Sequence, residues 1–143
     1  LCVRNAEQLT GAKADISWGE ISAERYPNRP MCQAFKDNME TLGIEMKWPD
    51  PKAQYGSSDI GNVSIKIPAI HDYLSITDDK TIQAHTKEYA DAAKSEEAQE
   101  ICLKGAKGLA MTGYDILSSD EFQAEIRRFH EQQIPDFYKE KKS

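Results

Sequence analysis

The stretch from Ser95 to Ile116 constrains this chain more than any other. Ser95 is placed to cap a helix, and Glu96 and Glu97 stand in its first turn, where carboxylates oppose the positive end of the helix dipole. Ala98, Ile101, Cys102, Leu109 and Ile116 then mark an inner side at helical spacing. Within the same stretch, Gly105-Ala106-Lys107-Gly108-Leu109-Ala110 removes side-chain bulk, so the helix can lie close against a sheet. A long helix with such a stripe needs a second layer to cover it. A chain of 143 residues is long enough to supply that layer within one core of ordinary size.

The remaining segments alternate between helix and strand signals. Val3 to Leu9 reads as a helix closed by Gly11, followed by the alternating strand pattern Ala14-Asp15-Ile16-Ser17-Trp18. Gly19 to Pro30 has no periodicity and reads as a connector and domain boundary. Pro30 suits the first turn of a second helix, with Met31, Phe35, Met39 and Leu42 on one face and Gly43 at its end. Ile44 to Lys47 reads as a short strand and Trp48 to Tyr55 as loop. A segment of small and polar residues, Gly56 to Ser64, comes next. Ile65 to Ile76 favours strand, best from Ala69 onward because Pro68 cannot donate to a ladder. Thr77 to Lys94 is a long polar connection of the kind that carries function. Ser118 with Glu121 forms a capping-box pattern for a last helix, which has Phe122, Ile126 and Phe129 on one side and Pro135 as its stop. Strands mixed with helices in this way indicate an α/β layered architecture.

Composition narrows the function classes. Hydrophobic residues make up 39% and fall in periodic blocks, which argues for a folded chain. The formal net charge is -6, and no segment collects enough basic residues to neutralise a run of phosphates, so nucleic acid is not an expected partner. The one basic cluster, Lys139-Glu140-Lys141-Lys142, reads as a solvated end. Cys2, Cys32 and Cys102 fit neither a disulfide framework nor a Cys-x-x-Cys metal site, which points to a reducing, cytoplasmic setting. No apolar run reaches the ~20 residues that span a bilayer. Leu1 to Thr10 lacks the basic-then-apolar order of a signal peptide and opens in mid-helix pattern, as in a chain that continues upstream.

Three histidines are the candidates for chemistry. His130 follows Arg127, Arg128 and Phe129 on an amphipathic helix and reads as exposed. His71 falls in or at the tip of the strand, near the Asp59 segment, where a hydrogen-bonded structural histidine is the ordinary role. His85 lies in the long polar connection, with no second His at i+3 or i+4, so any metal held there would need donors from elsewhere. The Gly56 to Ser64 segment lacks the spacing of a nucleotide-binding loop. Its role is either a helix-capping turn or a set of N–H and hydroxyl donors for a carboxylate.

The order of these segments is informative beyond its parts. Gly56-Ser57-Ser58-Asp59-x-Gly61-Asn62-Val63-Ser64, then Pro68-x-x-His71, then His85-Thr86, then the helix ending Ala106-Lys107-Gly108-Leu109-Ala110-Met111-Thr112, resembles the C-terminal part of the metallo-amidohydrolase family. That family includes aminoacylases, carboxypeptidase G, aminobenzoyl-glutamate hydrolase and β-alanyl-lysine dipeptidase-like proteins. The similarity runs from about Gly11 to Leu117. It implies the C-terminal portion of a zinc-peptidase-like α/β catalytic domain, a sheet covered by helices, over residues 27–143. Residues 1–26 would be the last helix and strand of a ferredoxin-like lid domain that also forms a homodimer. One departure is Asp72, where relatives commonly carry Pro.

The resemblance further implies hydrolysis of the amide bond of an N-acyl amino acid or dipeptide by water activated on a divalent metal, usually zinc, with manganese or cobalt as alternatives. His85 is similar to the family's last metal ligand. Ser58, Asp59, Gly61 and Asn62 would line the substrate pocket, with His71 as a further substrate or ligand-orienting contact. The other ligands and the general base are not in this chain. The alternative is a catalytically incomplete fragment that serves only as a binding or assembly module.

Overall fold

The computed structural model describes residues 1–19, 22–50, 56 and 58–139. Among the described residues the α-helices are α1 (Cys2–Thr10), α2 (Arg29–Thr41), α3 (Ile60–Ser64), α4 (Lys87–Ala92), α5 (Glu96–Ser118) and α6 (Asp120–Gln133), followed by a 3-10 turn at Asp136–Tyr138. The start and stop signals of the sequence operate as expected at most ends. Gly11 and Gly43 close α1 and α2 at φ 71° and 78°, a left-handed backbone that a side chain disfavours. The Ser95 side chain accepts the Ala98 N–H at 3.1 Å and caps α5. The cap of α6 is Ser119 rather than the expected Ser118, and its Oγ accepts from Phe122 N–H at 3.1 Å. Two adjacent serines offered the same chemistry, and the extended backbone at Ser119 decides between them.

The core is where α2, α5 and α6 meet, with α5 the shared element. Phe35 and Met39 of α2, Ala98 of α5, Ile126 of α6 and Ile134 just beyond it are buried. The glycines of α5 make this packing possible. A Cβ at Gly108 would collide with Met39 Sδ and lie 3.1 Å from Phe35 Cε2, and one at Gly105 would lie 2.8 Å from Leu74 Cδ1. The Gly/Ala stretch thus lets α5 lie close against α2 and the 74 segment. Its buried line is Ala98, Gly105, Gly108 and Thr112, whereas Cys102 and Leu109, expected inside, face out. Leu103, Leu109, Tyr114 and Leu117 leave a second apolar stripe exposed, 82% at Leu117.

Polar groups tie the helices together. Asn28, fully buried, caps α2 by accepting from Met31 N–H at 3.3 Å and donates from Nδ2 to Ile126 O of α6 at 2.9 Å. Its own N–H donates to Ala69 O at 2.8 Å. Asn38 of α2 donates to Thr112 Oγ1 at 3.1 Å and to Asp115 Oδ2 at 2.8 Å on α5.

The segments 14–18, 44–47 and 69–76, expected as strands, have no strand ladder among the described residues. A strand exists only through a partner that takes its N–H and C=O groups. Here Ile44 N–H goes to Met39 O at the end of α2, and Ala69 O takes the N–H of Asn28, so these groups serve helix ends and connectors instead. The basic tail from residue 140 onward, residues 20 and 21 of the expected connector, residues 51–55 of the expected loop and residue 57 of the small and polar segment lie outside the described residues.

Candidate functional site

Two neighbouring features carry all of the candidate residues but His85. The first is the turn that leads into α3. Ser58 Oγ accepts from Ile60 N–H at 3.3 Å, and the Asp59 carbonyl accepts from Asn62 N–H at 2.9 Å, so Ser58 and Asp59 shape the start of a five-residue helix. Gly61 is buried against a backbone: a Cβ there would overlap Ala23 O and lie 2.9 Å from Ala23 C. Asn62 Oδ1 accepts from Ala23 N–H at 2.6 Å, and Ser64 Oγ accepts from Tyr26 N–H at 3.0 Å. These residues thus hold the connector before α2 in place, and Asp59 is left exposed.

The second feature is a cavity of about 400 Å³ beside α2. Cys32, Lys36, Met46, Trp48, Ile60 and Ser64 line it together with Arg25 and the run Ala69 to Tyr73. Of the expected site residues only His71 reaches it, its ring 4.9 Å from that of Tyr73. Ser58, Asp59, Gly61, Asn62 and His85 are not among its lining residues. Arg25 Nη1 donates to Tyr73 Oη at 3.0 Å and Nη2 to Gly56 O at 3.4 Å, fastening one wall. The Arg29 guanidinium lies 4.9 Å from the centre of the Trp48 ring.

Two groups of this cavity were given no role in the sequence reading. Asp72 Oδ2 is buried with no hydrogen-bond partner. Burial pushes the Asp72 carboxyl above its ordinary range, and neighbouring His71 pulls it partly back. The Cys32 thiol is pushed up to about 12, chiefly by burial and then by the Asp72 charge, so it stays protonated at neutral pH. No spacing rule flags either residue. The signal was available only as an acid and a thiol in otherwise apolar stretches.

His130 corrects the expectation of an exposed helical histidine. It is half-buried, and its Nε2–H donates to Ser64 O at 2.8 Å, a bond that joins α6 to the end of α3. His85 sits at φ 66°, immediately before Thr86, whose hydroxyl caps α4 by accepting from Tyr89 N–H at 3.1 Å. Its imidazole is exposed and makes no hydrogen bond among the described residues. A histidine held in the left-handed region costs backbone energy that glycine would avoid, so the position retains the side chain at a local penalty.

A divalent metal is implied by the resemblance and needs about three protein donors at a catalytic zinc. Among the described residues, no group of three or more His, Cys, Asp or Glu is arranged to hold one. These residues by themselves do not form such a site.

The chain's named relatives are peptidases. It is 37% identical over 133 residues to the Xaa-Arg dipeptidase of Mus musculus and 37% identical over 129 residues to that of Homo sapiens, matches that cover 89% and 88% of this chain. The chain spans about three tenths of the length of these curated relatives, 30% and 29%. No protein-family model and no solved structure matches it. Among the described residues, no helix is long and apolar enough to cross a membrane.

Proposed function

We propose that these residues are part of a dipeptidase that cleaves the amide bond of a small dipeptide or N-acyl amino acid. The observation that carries this reading is the similarity to two Xaa-Arg dipeptidases along nearly the whole chain. Dipeptides ending in arginine are therefore the first substrates to try, with β-alanyl-lysine and aminobenzoyl-glutamate as the compounds suggested by the wider resemblance. In this reading the helices pack on a sheet completed by residues outside these 143, in a cytoplasmic enzyme that dimerises through its lid. Position 85 supplies one imidazole to a divalent metal, zinc first and manganese or cobalt next, whose other donors lie elsewhere. Its exposed, unbonded ring and left-handed backbone support that role. Ser58, Asp59, Gly61 and Asn62 act by fixing the connector that walls the cavity, and His71 is the member of the set placed to touch a substrate.

A second reading is a binding or assembly module without turnover, built on the packing of α2, α5 and α6. The test compares metal content and hydrolysis of the three substrates by this chain, by the longest natural polypeptide that carries it, and by the His85→Ala variant of the latter. Loss of bound metal and turnover in the variant, with folding intact, is the expected result. A variant as active as its parent overturns the assignment of His85. Metal-free, inactive parent protein overturns the dipeptidase reading in favour of the module.

A further inference from the structure

We propose that the cavity beside α2 is a subsite for a cationic side chain, a guanidinium or alkylammonium group, with Asp72 as its counter-ion. The subsite is argued from the cavity itself. Only its assignment to a substrate rests on the dipeptidase reading.

Among the described residues that line the cavity, Asp72 is the one carboxylate, and its Oδ2 is buried without a hydrogen bond. A buried oxygen with no donor is an uncommon and costly arrangement, and a ligand that brings N–H donors resolves it. The cations on the lining do not serve this purpose. Lys36 pairs with Glu40 and Lys47 with Glu45, while Arg25 donates to Tyr73 Oη and Gly56 O. Both lysine partners stand outside the lining, and neighbouring His71, whose charge acts on Asp72, makes no hydrogen bond to its Oδ2. Met46, Ile70 and the Trp48 and Tyr73 rings provide apolar surface for a methylene stem. A volume of about 400 Å³ is at the small end of ligand pockets, suited to one amino-acid side chain rather than a large molecule.

Three probes of equal length separate the chemistry: butylguanidinium, butylammonium and pentanoate, titrated into this chain by calorimetry. Butylguanidinium is expected to bind and pentanoate not. Asp72→Asn, which keeps the shape and removes the charge, is expected to weaken the cation roughly tenfold, the loss of one charge-assisted hydrogen bond. Unchanged circular dichroism and an unlowered melting temperature establish that the variant folds. Tighter binding of pentanoate than of butylguanidinium, no binding of either cation, or equal binding by Asp72→Asn overturns the subsite.

The longest natural polypeptide then distinguishes the two ideas. A subsite in the enzyme predicts that Asp72→Asn lowers the preference for a dipeptide ending in arginine over one ending in norleucine. If no dipeptide is cleaved while cation binding still depends on Asp72, the dipeptidase reading fails and the subsite stands. If cleavage occurs with an unaltered preference, the assignment of the subsite to the substrate is overturned.

Discussion

Gly61→Ala tests whether the α3 turn is built for packing or for holding a substrate. The added Cβ would overlap Ala23 O and lie 2.9 Å from Ala23 C and 3.1 Å from Glu24 O. All three are backbone atoms, so none can rotate aside as a side chain could. The connector must therefore lift from α3, which stretches the bonds from Ala23 N–H to Asn62 Oδ1 and from Tyr26 N–H to Ser64 Oγ. Overpacking costs about 1–3 kcal/mol and a lost hydrogen bond about 1 kcal/mol more, so a destabilisation of roughly 2–4 kcal/mol is expected. That is a large fraction of the ~5–15 kcal/mol that holds a domain folded. Urea unfolding of this chain, followed by far-ultraviolet circular dichroism, reads the difference at constant slope. Gly56→Ala is the control, because it is exposed and its Cβ meets nothing within 4 Å. It should shift stability by no more than about 0.5 kcal/mol. A Gly61→Ala shift as small as the control's, accompanied by a raised KM in the longer polypeptide, would refute the packing argument.

Other variants probe separate links. Asn28→Ala removes the α2 cap and leaves Ile126 O without its donor, so a loss of about 2–4 kcal/mol is expected in the same unfolding assay. Asp72→Asn should be more stable than the parent at pH 7. The folded carboxyl holds its proton to a higher pH than the unfolded one near 3.8, so stability falls as pH rises through that window, and the advantage of Asn should vanish below it. Alkylation of the native protein followed by mass spectrometry should modify Cys2 and Cys102 first, since both are exposed, and Cys32 last.

The parts of this molecule that local rules govern were legible in the sequence. Gly11, Gly43, Ser95 and Pro135 set helix ends through backbone conformation or one hydrogen bond to a near neighbour, and each acts as its residue type dictates. What the sequence could not disclose was partnership. The run from Ala69 to Ile76 has the composition of a strand, but composition does not specify which chain will take its hydrogen bonds, and here Ala69 O is taken by Asn28. His130 looked exposed because its neighbours are charged, and only the three-dimensional meeting of α6 with α3 shows the Ser64 carbonyl beside it. The candidate site divides in the same way. His71 lines the same cavity as Ile60 and Ser64, which follow Asp59 closely in the chain, whereas the isolation of Asp72 Oδ2 depends on what surrounds it from distant segments.

The outward stripe of α5 has a practical side. With Leu103, Leu109, Tyr114 and Leu117 in water, the helix that organises the interior also gives the protein the character of a surfactant. Apolar surfaces and mild amphiphiles that reach α5 are expected to compete for that stripe.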